Sequence, residues 1–173
     1  MKRYFIWTVL ALIWLGSAGF APGETRLYSK AVRFAQAGQV HFAFMQYNQL
    51  LRNYPASKYR GRALFAAGEY YFRISGFQDA EKAFTAFLDE YPDAQEKIYA
   101  LAYLLRIARR NGNEASVEDL EKQIIDLRQV SFVFRESKEA AYRSPLHQNY
   151  KAVSYIDKIE FYVEGKLFAK VSY

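Results

Sequence analysis

The chain has 173 residues, 51% of them hydrophobic and 18% aromatic, with a formal charge of +6 and no cysteine. This is the size of one domain with ample material for a core, and it is too apolar for a disordered chain. The charge falls to +4 without Lys2 and Arg3, too mild to imply nucleic acid. The lack of cysteine excludes disulfides, thiolate metal sites and a lipid anchor behind an export signal.

Residues 1–21 come first. Lys2 and Arg3 precede an apolar run from Phe5 to Leu15, and Gly16, Ser17, Ala18 and Gly19 follow. A basic start, a short apolar stretch and a small-residue end have the layout of a secretory signal peptide. The alternative is an uncleaved anchor, because Tyr4 to Ala21 is just long enough to span. An exported chain without cysteine fits a bacterial periplasm, free or anchored in the inner membrane.

Residues 24–129 repeat. At an offset of 37 residues Leu27 meets Leu64, Ala31 meets Gly68, Phe34 meets Tyr71, Ala43 meets Ala80 and Tyr47 meets Phe84. Tyr54-Pro55 likewise meets Tyr91-Pro92. A fixed offset linking like with like marks stacked units. Each unit reads as two helices. In the second, Leu64, Ala67, Gly68 and Tyr71 form one apolar stripe, Ser75-Gly76 breaks it, and Phe77, Ala80, Phe84, Phe87 and Leu88 form the next. Pro92 ends the pair. Gly68 and Ala80, like Ala31 and Ala43, are small where the two helices should cross, and the flanking rings should fill the space around the crossing.

In the third unit Asp93 and Glu96 suggest a capping box. A stripe of Leu101, Leu104, Leu105 and Ala108 follows. "NGN" at 111–113 turns the chain, and Ser116 is the expected cap of a helix carrying Val117, Leu120, Ile124 and Leu127. The side-chain match fails in this last helix, where Phe77 meets Glu114 and Phe84 meets Glu121. Terminal repeats are commonly atypical.

These features resemble the tetratricopeptide (TPR) repeat. The closing "NYPASKY" and "EYPDAQEK" are similar to linkers of bacterial envelope TPR proteins of the BamD-like and CpoB-like (YbgF-type) kinds. The resemblance implies a mainly α fold, a right-handed superhelix of about three antiparallel helix pairs, and a protein or peptide partner in the envelope.

Residues 130–173 change period. "ESKEAAYR" reads as a short helix. Ile159, Phe161 and Val163, then Leu167, Ala169 and Val171, alternate with polar or exposed positions and predict a β-hairpin. Both sets share a face if the loop is odd, so a three-residue turn at Gly165 is expected, with a third strand near 152–156. The hairpin needs something to pack on. Either its apolar face caps the helices or its free edge receives a strand.

No catalytic, cofactor or metal constellation stands out. His41 and His147 are the only histidines and have no ligand neighbour one helical turn away. The chain reads as a binding module, not an enzyme. The resemblance places the partner groove on the first helix of each pair, giving the candidates Tyr28, Arg62, Phe65, Glu69, Phe72, Arg73, Arg106, Arg109 and Arg110. Arginine and aromatic side chains together suit an extended, partly acidic peptide. Two alternatives remain: a homo-oligomeric scaffold using the hairpin edge, and a binder of anionic envelope glycan.

Overall fold

The computed structural model describes residues 22–129 and 138–173. The signal or anchor segment, and the expected break near Val130, lie outside them. The described chain is mainly helical, with three helix pairs followed by a small antiparallel sheet. The pairs are α1 (Pro22–Gln36) with α2 (Val40–Asn53), α3 (Arg60–Arg73) with α4 (Phe77–Glu90), and α5 (Lys97–Asn111) with α6 (Glu114–Gln129).

The 37-residue period is written into the backbone more deeply than into the side chains. Each pair turns through a left-handed residue: Gly38 (φ 71°), Ser75 (φ 64°) and Gly112 (φ 66°). Each turn is closed by the same bond, from Gln39, Gly76 and Asn113 N–H to the Phe34, Tyr71 and Ala108 carbonyls, at 2.8, 2.8 and 3.0 Å. This is the Schellman arrangement, in which a left-handed residue lets the orphan carbonyls of a helix end find donors. In the second unit Ser75, and not the glycine beside it, takes the strained position. The linkers repeat as well. Tyr54 and Tyr91 N–H bond to Leu50 and Phe87 carbonyls. Ser57 and Ala94 N–H then bond back to Tyr54 and Tyr91 carbonyls. Each tyrosine ring lies over a glycine at the start of the preceding pair, Tyr54 over Gly23 and Tyr91 over Gly61. The Tyr-Pro pair therefore ends the second helix of a unit and locks it to the first.

Small residues do stand at the crossings. Ala31, Ala43 and Ala80 are fully buried. A methyl group at Gly68 would lie 2.6 Å from the Phe84 ring.

Two expected caps are corrected. The Asp93–Glu96 box does not form: α5 starts later, at Lys97, and Glu96 makes no side-chain cap bond. Residues 91–97 instead form the linker turns, with Ala94 and Lys97 N–H bonded three residues back. The cap of α6 is Asn113, whose Oδ1 accepts the Ser116 N–H at 3.2 Å, so Ser116 lies inside the helix.

The C-terminal sheet has four strands in sequential order: β1 (Lys138–Arg143), β2 (Asn149–Ser154), β3 (Lys158–Val163) and β4 (Lys166–Ser172). The hairpin is β3–β4, and the third strand is β2. The "ESKEAAYR" helix is overturned, since its residues from Lys138 onward form β1. Its Glu, Lys and Ala content favours a helix locally. Pairing with β2 and packing of Tyr142 against Phe65 and Tyr99 outweigh that preference.

The hairpin turn is also corrected. Val163 pairs with Lys166, leaving the two residues Glu164 (φ 50°) and Gly165 (φ 72°), the signature of a type I′ turn. The odd residue is found in the strand instead. Phe161 pairs with Ala169 and Tyr162 with Leu167, so Phe168 is a β-bulge. Ile159, Phe161, Ala169 and Val171 therefore share the buried face, while Leu167 is left exposed.

The sheet lies across α3 and α5. Tyr150, Ala152, Ile159, Phe161, Ala169 and Val171 share one core with Phe65, Tyr99, Leu101 and Leu105. Helices α3 and α5 are consequently buried on two sides, which is why nearly unbroken apolar runs, Ala63–Gly68 and Tyr99–Leu105, replace a simple stripe.

Candidate interaction surface

The surface expected to receive a partner is the one covered by the chain's own sheet. Phe65 is fully buried and meets Phe84, Phe87, Tyr142 and Tyr150 edge-on, with ring centroids 5.5–6.2 Å apart. Phe72 packs on Tyr103 and on the bulged Phe168, at 4.9 and 5.7 Å between centroids. The bulge is what turns Phe168 onto these two rings.

Glu69 lies at the centre of this interface and is 2% exposed. Its Oε1 accepts the Tyr150 hydroxyl at 2.6 Å, and Tyr150 in turn shares a hydrogen bond with Tyr103. Burial pushes the Glu69 carboxyl up to about 7, against the opposing pull of the Tyr150 and Ser144 hydroxyls and the Leu146 backbone. Its second oxygen, Oε2, makes no hydrogen bond of ordinary geometry among the described residues. Burial and the nearby Glu69 charge raise the Tyr103 and Tyr150 hydroxyls well above their usual range. The group is a buried network that ties α3 and α5 to β2.

The arginines are engaged too. Arg106 donates to the Phe168 carbonyl at 2.8 Å and lies 4.7 Å from the Phe168 ring centroid. Arg109 donates to the Lys170 carbonyl at 2.9 Å and pairs with Glu121. Arg110 lies over Phe77, 4.4 Å from the ring centroid. Arg62 donates to the Tyr28 hydroxyl at 3.0 Å, and Tyr28 stacks on Tyr59 with ring centroids 3.9 Å apart. Eight of the nine predicted residues are thus engaged with other parts of the chain itself.

Arg73 is the exception. It lines a surface cavity of about 410 Å³ with Gly38, Val40, His41, Phe42, Tyr70 and Ile74. The cavity sits where the α1–α2 and α3–α4 turns come together. Phe42 and Ile74 are 52% and 55% exposed, high for large apolar side chains on facing elements. His41 Nδ1 and the Tyr70 hydroxyl are hydrogen-bonded at 2.6 Å, and Tyr70 is stacked on Phe44, so the cavity wall is held in place. Sequence reasoning passed over Phe42 and Ile74. The available signal was their position off the apolar stripe, where Ala43, Tyr47 and Leu50 carry the burial in α2.

His41 and His147 do not approach one another's function. His41 serves the cavity wall, and His147 sits half-buried in the β1–β2 connection at φ 64°. Among the described residues no group of three His, Cys, Asp or Glu side chains is placed to hold a metal ion, and no helix is long and apolar enough to cross a membrane. No family model matches the chain, and a comparison with curated proteins finds no match.

Proposed function

We propose that the chain is an exported repeat module of tetratricopeptide type which holds a protein partner in the bacterial envelope, without turnover of a substrate. The helix pairs that repeat turn for turn every 37 residues support the repeat assignment. The basic and apolar start of the chain supports export. The observation that carries the binding reading is the cavity at the turn ends, where exposed Phe42 and Ile74 flank Arg73 over a wall fixed by His41 and Tyr70. Such a site suits a peptide segment with an apolar anchor next to an acidic residue.

The glycan reading draws less support. Arg106, Arg109 and Arg110 are engaged with the sheet, an acid or an aromatic ring, so they do not form a free cationic track.

A photoreactive residue at position 42, introduced in the native cells, tests the proposal. One recurrent envelope protein should be captured, and Arg73→Glu should abolish its capture while leaving the fold intact. Capture unaffected by Arg73→Glu, or capture from position 168 but not from 42, would overturn this site.

A further inference from the structure

The two edges of the sheet are treated differently. On β4 the Phe168 and Lys170 carbonyls are bonded by Arg106 and Arg109, so that edge is sealed by side chains of α5. On β1 no described residue bonds the outer edge. Ser144 N–H bonds to the Gln148 carbonyl, and Glu164 N–H bonds to the Asn149 carbonyl. The Gln148 carbonyl therefore turns toward β1 and that of Asn149 toward β3. Strand alternation then directs Tyr150, Ala152 and Ser154 toward β1, and their partners Tyr142, Ala140 and Lys138 toward β2. The backbone groups of Glu139, Ala141 and Arg143 point outward, away from the sheet.

The side chains on this edge invite one occupant. Glu139, Ala140, Ala141 and Arg143 are exposed, and the middle of the strand is only methyl groups, so a second backbone can approach. An antiparallel copy of β1 centred on Ala141 places Ala141 opposite itself. Glu139 then faces Arg143 of the copy, twice, by symmetry. All three outward residues on each strand enter hydrogen-bonded pairs in that register. Centring on Ala140 would also pair outward groups, but it would set Glu139 opposite Ala141 and part it from Arg143; centring between Ala140 and Ala141 would set outward groups against inward ones. Glu139 also accepts Lys151 Nζ at 2.7 Å through Oε1, so it lies between two cations once the copy is in place.

We infer that two copies of this chain associate through their β1 edges about a two-fold axis at Ala141, joining two four-stranded sheets into one of eight. Isologous pairing of this kind is self-limiting, because each edge is used once and the other edge of each sheet is sealed. It does not depend on the partner cavity of the preceding section.

Sedimentation equilibrium of the full chain at tens of micromolar, with its charge variants, tests this directly. The wild type should have the mass of a dimer. Ala141→Pro should give a monomer of unchanged circular dichroism, since its lost N–H faces outward and proline is tolerated at such edge positions. Arg143→Glu should weaken the dimer by about tenfold or more, since two attractive cross-strand pairs become repulsive. Adding Glu139→Arg to that variant should restore it. A monomeric wild type, or a dimer indifferent to Ala141→Pro and to the charge exchange, would overturn the inference. If Ala141→Pro failed to fold, the loss and restoration by charge would still decide.

Discussion

Replacing Glu69 by glutamine separates the cost of a buried charge from the rest of the helix–sheet interface. The Glu69 carboxyl titrates at about 7 in the folded chain, against an ordinary value of 4.5. Between these values the folded state keeps a proton that the unfolded state has released. Stability must then fall as pH rises, by up to about 1.4 kcal/mol per pH unit. The loss begins near pH 4.5, is complete a little above pH 7, and totals about 3 kcal/mol across the interval between the two values. Below pH 4.5 this group costs nothing, because it is protonated in both states. The Glu69→Gln variant keeps the acceptor for Tyr150 and has no titration. Urea unfolding followed by circular dichroism should therefore give similar stabilities for the two proteins near pH 4.5. By about pH 8 the variant should be the more stable by about 3 kcal/mol. Parallel curves across this window, or a wild type that gains on the variant as pH rises, would refute the reasoning. The acids paired on the surface act elsewhere and with opposite sign: Arg60 holds the Glu90 carboxyl below its usual range, so that contribution is lost only on acidification below about pH 4.5.

Three further outcomes follow from the packing. Gly68→Ala should destabilise the fold by about 2 kcal/mol in denaturant titration, because its methyl meets the Phe84 ring inside contact distance and the gain in helix propensity is smaller than the strain. Ser75→Gly should stabilise by about 1 kcal/mol, since it relieves a left-handed serine, whereas Gly112→Ala should cost a similar amount at the equivalent turn; thermal unfolding reads both signs. Tyr150→Phe should cost about 1–3 kcal/mol, because it leaves Glu69 and Tyr103 without their common partner, and the loss should be greatest at about pH 8, where Glu69 is ionised.

The repeat was legible because it rests on local chemistry. Proline after the second helix, glycine or alanine at crossings and rings beside them each act within one unit, and a 37-residue offset exposes all of them at once. The backbone repeats further than the side chains do, so Gly112 and Asn113 extend the period into a unit where Phe77 and Phe84 find only glutamates opposite them. The hairpin was legible from alternation, but its parity was satisfied by a bulge at Phe168 and not by the turn. Nothing in a two-residue period distinguishes those solutions. β1 was misread because Glu, Lys and Ala carry a local helical preference that a neighbouring strand overrode. The groove residues were chosen for the side they should face, and Phe65, Glu69, Phe72 and Arg106 meet the chain's own sheet. What covers them lies far along the chain, in Tyr150 and Phe168, and no local pattern at α3 reports on a contact of that range. The nearly unbroken apolar runs Ala63–Gly68 and Tyr99–Leu105 hinted that these helices are covered on two faces, but not by what.

The sheet fills the face that α3 and α5 would otherwise present to a partner. Nuclear Overhauser contacts between aromatic rings in the full chain, with phenylalanine and tyrosine labelled separately, test it most directly. Cross-peaks from Phe65 to Tyr142 and Tyr150, and from Phe72 to Phe168, are predicted from centroid separations of 5.8, 6.2 and 5.7 Å. Absence of all three, with the Phe65 and Phe72 rings in contact only with α4 and α5, would mean that the groove stands open and that the partner site lies there after all.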